Sequence, residues 1–94
     1  MYLEDLLKQD AVVIDVRTPM EFSGGHVAGS VNIPLNEIMA RLDELKAYEK
    51  PILLCCASGN RSGQAAIALQ QAGLNEVYNA GSWLTVNAAQ NQTV

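Results

Sequence analysis

Two short runs constrain this chain more than any other feature: "AVVIDV" at residues 11–16 and "PILLCC" at residues 51–56. Neither alternates apolar with polar residues, as a strand with one wet face would. The first is rich in β-branched residues, and the second is wholly apolar after its proline. Strands of this kind are covered on both faces, the signature of a parallel sheet held between layers of helix. Parallel neighbours in turn need crossover connections of a dozen residues or more, usually helical.

Helical patterns lie where such crossovers are required. Tyr2, Leu3, Leu6 and Leu7 fall at helical spacing before the first run. From Asn36 to Tyr48, the positions Ile38, Met39, Leu42 and Leu45 make one stripe of an amphipathic helix, with Asn36 as its N-cap and Lys50-Pro51 at its exit. Residues 62–72 read as an alanine-rich helix, with Gly73 as its left-handed cap and Leu74 as the apolar residue beyond. "SVNIP" (30–34) and "NEVYNA" (75–80) are short strands, and a helix is expected to start at Trp83 and fray over residues 87–94. The expectation is one α/β domain over residues 1–94, with a largely parallel open sheet and helices on both faces. In such sheets ligands gather at the carboxyl ends of the strands. Cys56 stands at one of them.

Charge narrows the partners. The net charge is −4, and the six Lys and Arg are scattered rather than striped, which argues against nucleic acid. No apolar run approaches the roughly 20 residues of a membrane span. The opening "MYLEDLLKQD" carries Glu4 and Asp5 where a secretory signal is cationic. The expected compartment is therefore the cytoplasm, or the periplasm if a leader has been removed. The two cysteines are adjacent, so they cannot staple distant segments, and no second Cys/His pair accompanies them for zinc. Neither a disulfide framework nor a metal site is expected.

The residues after Cys56 carry the chemistry: "ASGNRS", a tight loop that feeds a helix. Successive N–H groups in such a loop form an anion-binding nest, and the helix dipole adds positive potential. Both lower a thiol pKa from its free value of about 8.5. Gly59 permits positive φ, and Asn60 is the next most tolerant residue. Arg61 adds a cation, and Ser62 either caps the helix or offers its hydroxyl to the sulfur. Ala57 and Ser58 complete the candidate anion loop, residues 57–62, around the candidate nucleophile Cys56. Cys55, one residue earlier, points to the opposite face of the sheet and belongs to the core. Asp15 and Arg17, just beyond the first strand, are expected to support the same edge, Asp15 by accepting loop hydrogen bonds and Arg17 by pairing with Glu21.

These motifs resemble the rhodanese (sulfurtransferase) domain. The likeness rests on "CASGNRS" after a hydrophobic strand and on the upstream "DVRTPMEFSGGHVAGSVNIPL", in which Asp15-Val16-Arg17, Glu21-Phe22, His26-Val27, Gly29, Asn32 and Pro34 fall at motif positions. It covers nearly the whole chain and is greatest with single-domain bacterial thiosulfate sulfurtransferases of the small phage-shock type. Two departures stand out: the family's terminal Gly-Gly is Gly81-Ser82 here, and the often basic position after the nucleophile is Ala57. The resemblance implies a three-layer rhodanese-like fold and a Cys56 that carries sulfur as a persulfide. It also implies thiosulfate or a persulfide as donor, and cyanide, a small thiol or a thiol protein as acceptor. No cofactor is implied, and a monomer is the default. His26 is then a structural hydrogen-bonding residue, and Phe22 and Trp83 are packing residues.

Two other functions fit parts of the pattern. A sulfur carrier or adaptor would use the same persulfide without turnover. A cysteine phosphatase also cradles an anion above a thiolate, but its signature holds one residue more between Cys and Arg than the four, Ala57 to Asn60, found here.

Overall fold

The computed structural model describes residues 3–92. Four parallel strands, β1 (Val12–Asp15), β2 (Val31–Asn32), β3 (Ile52–Cys56) and β4 (Val77–Ser82), form one sheet in the order β2-β1-β3-β4. The helices are α1 (Leu3–Lys8), α2 (Pro19–Ser23), α3 (Leu42–Ala47), α4 (Asn60–Gln71) and α5 (Trp83–Gln92). All five residues of β3, at the centre of the sheet, are buried, as its unbroken apolar run requires.

Side chains alternate across the sheet and feed two cores. On one face Ile14, Val16, Ile52, Leu54 and Cys56 meet Ala65, Ala66 and Leu69 of α4, together with Ile38 and Leu45. On the other, Val13, Leu53 and Cys55 meet Val86 of α5, with Leu3, Leu6 and Leu7 of α1 packed against them. The expected three-layer α/β architecture is present. Tyr2, placed by its spacing in the first helix, lies outside the described residues.

The segment 36–48 departs from the single helix expected. It forms two 3₁₀ turns, Leu35–Glu37 and Met39–Arg41, before α3. Asn36 is therefore inside a turn rather than an N-cap. At the first turn, half-buried Leu35 and buried Ile38 are three apart and both pack into the core, and 3₁₀ geometry aligns residues at that interval. Met39, which the helical stripe would bury, is left half-exposed.

The C-terminal segment also departs from expectation. α5 stays helical to Gln92, because Val86 and Ala89 are buried and because Gln90 Nε2 donates to Ala28 O at 3.0 Å. Thr93 and Val94 lie outside the described residues. α4 ends as its glycine predicts: Gly73 has φ 102°, its N–H donates to Gln70 O at 3.1 Å, and Leu74 N–H donates to Leu69 O at 3.1 Å. That is the Schellman pattern.

One irregularity shapes the carboxyl edge. Along β3 and β4, Leu54 pairs with Asn79 but Cys55 pairs with Gly81, so Ala80 is an extra residue in β4. Bulges of this kind re-aim side chains beside functional sites.

Candidate active site

Cys56 ends β3 on the face covered by α4, and the chain turns at once into that helix. Gly59 makes the turn with φ 103°, and its N–H donates to Cys56 Sγ at 2.9 Å. Only Gly59 in this loop has positive φ. Asn60, expected to share that role, is already the first residue of α4. Ser62 is fully buried, and its Oγ lies 3.4 Å from Sγ. Burial pushes the Cys56 thiol up. The Ser62 hydroxyl and the amides of Ser62, Gly59 and Ser58 more than reverse this, taking the thiol from 9.0 down to about 7. Ser62 makes no helix cap: its one hydroxyl proton lies between Cys56 Sγ at 3.4 Å and Asn79 Oδ1 at 2.7 Å, the shorter contact being to Asn79.

The neighbouring thiol is in the opposite state. Cys55 is completely buried in the other core, and desolvation, with the Asp15 carboxylate adding to it, pushes its pKa up to about 12. Cys55 is a small core residue.

Asn79 is absent from the residues the sequence marks for the site, yet it ties the loop to the sheet. Its Nδ2 donates to Gly59 O at 3.0 Å, and its Oδ1 accepts from Gly81 N at 3.0 Å and from Ser62 Oγ at 2.7 Å. Both glycines on the facing side leave room for this strand. A Cβ on Gly59 would lie 3.2 Å from Gly81 Cα, and one on Gly63 would lie 3.2 Å from Asn79 Nδ2. A polar Asn inside a strand, where that residue is disfavoured, was the available signal.

Arg61 and Arg17 do not make the contacts expected of them. Arg61 is not a free cation: its guanidinium donates to Glu21 Oε1 at 2.7 Å and Oε2 at 3.0 Å. The Glu21 carboxylate is therefore engaged elsewhere, and Arg17 reaches only the Glu21 backbone, Nη1 donating to Glu21 O at 3.4 Å. Arg17 instead grips Asp15, with Nε at 3.0 Å from both carboxylate oxygens and Nη2 at 2.8 Å from Oδ2. Nη2 also donates to Gly25 O at 2.7 Å, and the guanidinium lies 4.7 Å from the Trp83 ring centroid. The side chains of both partners are almost wholly buried. Asp15 Oδ1 also accepts from Arg17 N at 3.0 Å, and Asn32 Nδ2 bridges Asp15 O and Arg17 O. The Asp15–Arg17 pair thus holds the carboxyl end of β1, and its side-chain hydrogen bonds run between the two residues and to the backbone of Glu21 and Gly25. His26 hydrogen-bonds Phe22 O through Nδ1 at 2.8 Å and stacks on the Phe22 ring at 3.8 Å.

Beside Arg61 an open cleft of about 370 Å³ is lined by Val16, Thr18, Pro34, Leu35, Asn36 and Arg61. Among the described residues no cluster of His, Cys, Asp and Glu could hold a metal ion, and no helix is long and apolar enough to cross a membrane.

The family profile of the rhodanese-like domain matches residues 2–88. The chain belongs to the rhodanese-like family. It is 46% identical to the protein YqhL of Bacillus subtilis over 69 residues, 73% of this chain and 54% of that one. The chain thus spans about half the length of that relative. It is 38% identical over 76 residues to the thiosulfate sulfurtransferase PspE of Escherichia coli, covering 72% of this chain and 66% of PspE. Among solved structures, a rhodanese from E. coli determined with anions superposes with a TM-score of 0.74 at 34% identity, over 80% of this chain and 89% of that one. The rhodanese fold expected from the motifs is therefore the fold observed.

Proposed function

We propose that this rhodanese-like domain is a sulfurtransferase in which the Cys56 thiolate carries sulfur as a persulfide. The observation that supports it most is the sulfur itself, which ends a buried strand, accepts the Gly59 N–H at 2.9 Å and has a pKa of about 7. Half the thiol is then ionised near neutral pH, where a free cysteine is almost wholly protonated.

With thiosulfate, the thiolate attacks the outer sulfur. The donor's S–S bond breaks, and its electron pair leaves with sulfite. With an organic persulfide RS–SH, the same attack gives Cys56–S–SH and releases the thiolate RS⁻. In the second half-reaction cyanide or a thiolate attacks the terminal sulfur, and the electron pair returns to Cys56. Two half-reactions through one covalent intermediate give ping-pong kinetics. The amides of residues 58, 59 and 62 that lower the thiol pKa also favour negative charge on the terminal sulfur. The name of the relative PspE, a thiosulfate sulfurtransferase, agrees with this reading. The phosphatase alternative fits less well: the loop is one residue shorter, and Arg61 is held by Glu21.

Mass spectrometry after incubation with thiosulfate tests the proposal. We expect one extra sulfur atom on the intact chain, removed by cyanide as thiocyanate and absent in Cys56→Ser. A Cys56→Ser variant that folds and still takes up and releases sulfur would overturn it. Loading without thiocyanate turnover would instead mark a carrier.

A further inference from the structure

The charges around Cys56 say which sulfur donors the site accepts. The chain has six Lys and Arg, all within the described residues. Arg17 is gripped by Asp15 and Arg41 by Glu44. Lys8 ends α1, just before β1, while Lys46 lies at the end of α3 and Lys50, paired with Asp10, lies just before β3. All three lysines therefore flank the amino ends of strands, away from Cys56 at a carboxyl end. Ala57 supplies no charge. Arg61 remains as the cation beside the sulfur, and its two terminal nitrogens are bound by Glu21.

Glu21 is itself fixed from the other side. Its Oε1 accepts from Thr18 N at 3.0 Å and Thr18 Oγ1 at 3.1 Å, while Thr18 Oγ1 accepts from Glu21 N at 3.2 Å, a complete capping box at the start of α2. Arg61 and the Thr18 amide hold the carboxyl down at about 2, so it stays ionised throughout the working range of a protein. The guanidinium cannot turn toward a ligand without leaving a charged, capped partner.

We propose that Glu21 is a specificity-determining residue that withholds the Arg61 charge from the donor site and so tunes it toward weakly charged organic persulfides over dianionic thiosulfate. This rests on the sulfurtransferase reading above. Attack on thiosulfate brings a dianion against a thiolate, three negative charges in all, whereas a hydropersulfide carries at most one charge of its own and none in the protonated form RS–SH that the thiolate attacks. The nest of amides can offset one charge on sulfur, but the ion pair beside it offers little to a sulfonate group. The cleft lined by Val16, Thr18, Pro34, Leu35, Asn36 and Arg61 lies beside Arg61 rather than at the sulfur itself. The carbon chain of an organic donor that extended past Arg61 would meet its largely apolar wall, which thiosulfate is too short to use.

Glu21→Gln tests this cleanly, since glutamine serves equally at the third position of a capping box and only the charge is lost. The readout is the second-order rate at which Cys56 gains one sulfur, followed by mass spectrometry, with thiosulfate and separately with benzyl hydropersulfide. Dividing each variant rate by its wild-type rate cancels the donors' intrinsic reactivities. A freed guanidinium in a half-exposed site should raise thiosulfate loading by roughly tenfold, with benzyl hydropersulfide changing less than about twofold. Glu21→Gln combined with Arg61→Ala should lose the thiosulfate gain. Equal effects on both donors, no effect on either, or a gain that survives removal of Arg61 would overturn the proposal while leaving the sulfurtransferase reading intact. Failure of wild type to load from either donor would overturn both.

Discussion

The Gly59→Ala substitution probes the geometry that activates Cys56. Gly59 has φ 103°, where an L-residue costs roughly 1–2 kcal/mol. The new Cβ would lie 3.2 Å from Gly81 Cα, a backbone atom that cannot swing aside like a flexible side chain. Together these should destabilise the fold by about 1–3 kcal/mol. That is a fraction of the roughly 5–15 kcal/mol holding a domain together, and it corresponds to a fall in melting temperature of about 5–20 °C at this size. The variant therefore folds, but the loop relieves strain by moving away from β4, and the Gly59 N–H leaves the sulfur it approaches to 2.9 Å. Because that bond favours the thiolate, the thiol pKa should rise from about 7 toward 9.0. Losing one preorganised donor to a developing anion costs on the order of a hundredfold or more in rate.

The sign gives a second signature. The thiolate is the reactive form and is present above the thiol pKa, so raising that pKa depletes it most near neutrality. The fold deficit in iodoacetamide alkylation should thus be greatest at and below neutral pH and vanish above the raised pKa, while a deficit in sulfur transfer due to geometry persists. A folded Gly59→Ala protein with unchanged alkylation profile and unchanged transfer rate would refute the claim that this amide activates Cys56.

Two further substitutions separate anchoring from activation. Asn79→Ala removes two hydrogen bonds to the loop and one to Gly81 of its own strand, and should cost about 1–3 kcal/mol in denaturant unfolding. It should raise the thiol pKa less than Gly59→Ala does, because the Ser62 hydroxyl, released from Asn79, can turn fully to the sulfur; a larger rise would show that Asn79 holds the amides themselves. Cys55→Ala leaves a small cavity in the α1/α5 core and should lose on the order of 1 kcal/mol, with Cys56 alkylation and sulfur loading as in wild type. Loss of loading in a folded Cys55→Ala would mean the wrong cysteine has been assigned.

What the sequence made legible was what lies close together along it. The nest after Cys56 is contiguous, so its residue types and spacing foretold the glycine turn and the contacts of the Gly59 amide and the Ser62 hydroxyl with the sulfur. The unbroken apolar runs foretold a sheet covered on both faces. Partners distant in sequence were hidden. Arg17 at the strand end and Glu21 a turn later looked like a local pair. The choice made by the fold depends on Arg61, 40 residues beyond Glu21, reaching the same carboxylate, and on Arg17 being drawn into a buried fork with Asp15. Asn79 stood out only as a polar residue in a strand; its partners Gly59 and Ser62, 20 and 17 residues away, were hidden for the same reason. The 36–48 helix failed differently. Period three and period 3.6 differ little over so short a stretch, and only contact with the sheet decided between them.

The two adjacent cysteines show why the strand register matters to the chemistry. A second thiol beside a persulfide is ordinarily a hazard, since its thiolate can attack the inner sulfur, form a disulfide and expel the outer sulfur as hydrosulfide. Here two independent effects oppose that reaction. Alternation along β3 turns Cys55 into the core shared with α1 and α5, while Cys56 faces α4. Desolvation then holds Cys55 protonated up to about 12, against about 7 for its neighbour. A gap of that size corresponds to roughly 10⁵ in acidity. A one-residue slip of β3 would exchange the two positions, burying the intended nucleophile and bringing Cys55 to the loop. The apolar residues from Ile52 to Leu54 cannot prevent that slip by pattern, because both faces of the strand are buried. Register must be set at the ends. At the amino end Ile52 N–H donates to Glu76 O at 2.9 Å, and at the carboxyl end Cys55 O accepts from Val16 N at 2.9 Å. Beyond it, the φ of 103° at Gly59 and the fit of that loop against Gly81 admit one residue alone as the last of the strand. The glycine that supplies the amide to the sulfur is thus also what decides which of the two cysteines receives it.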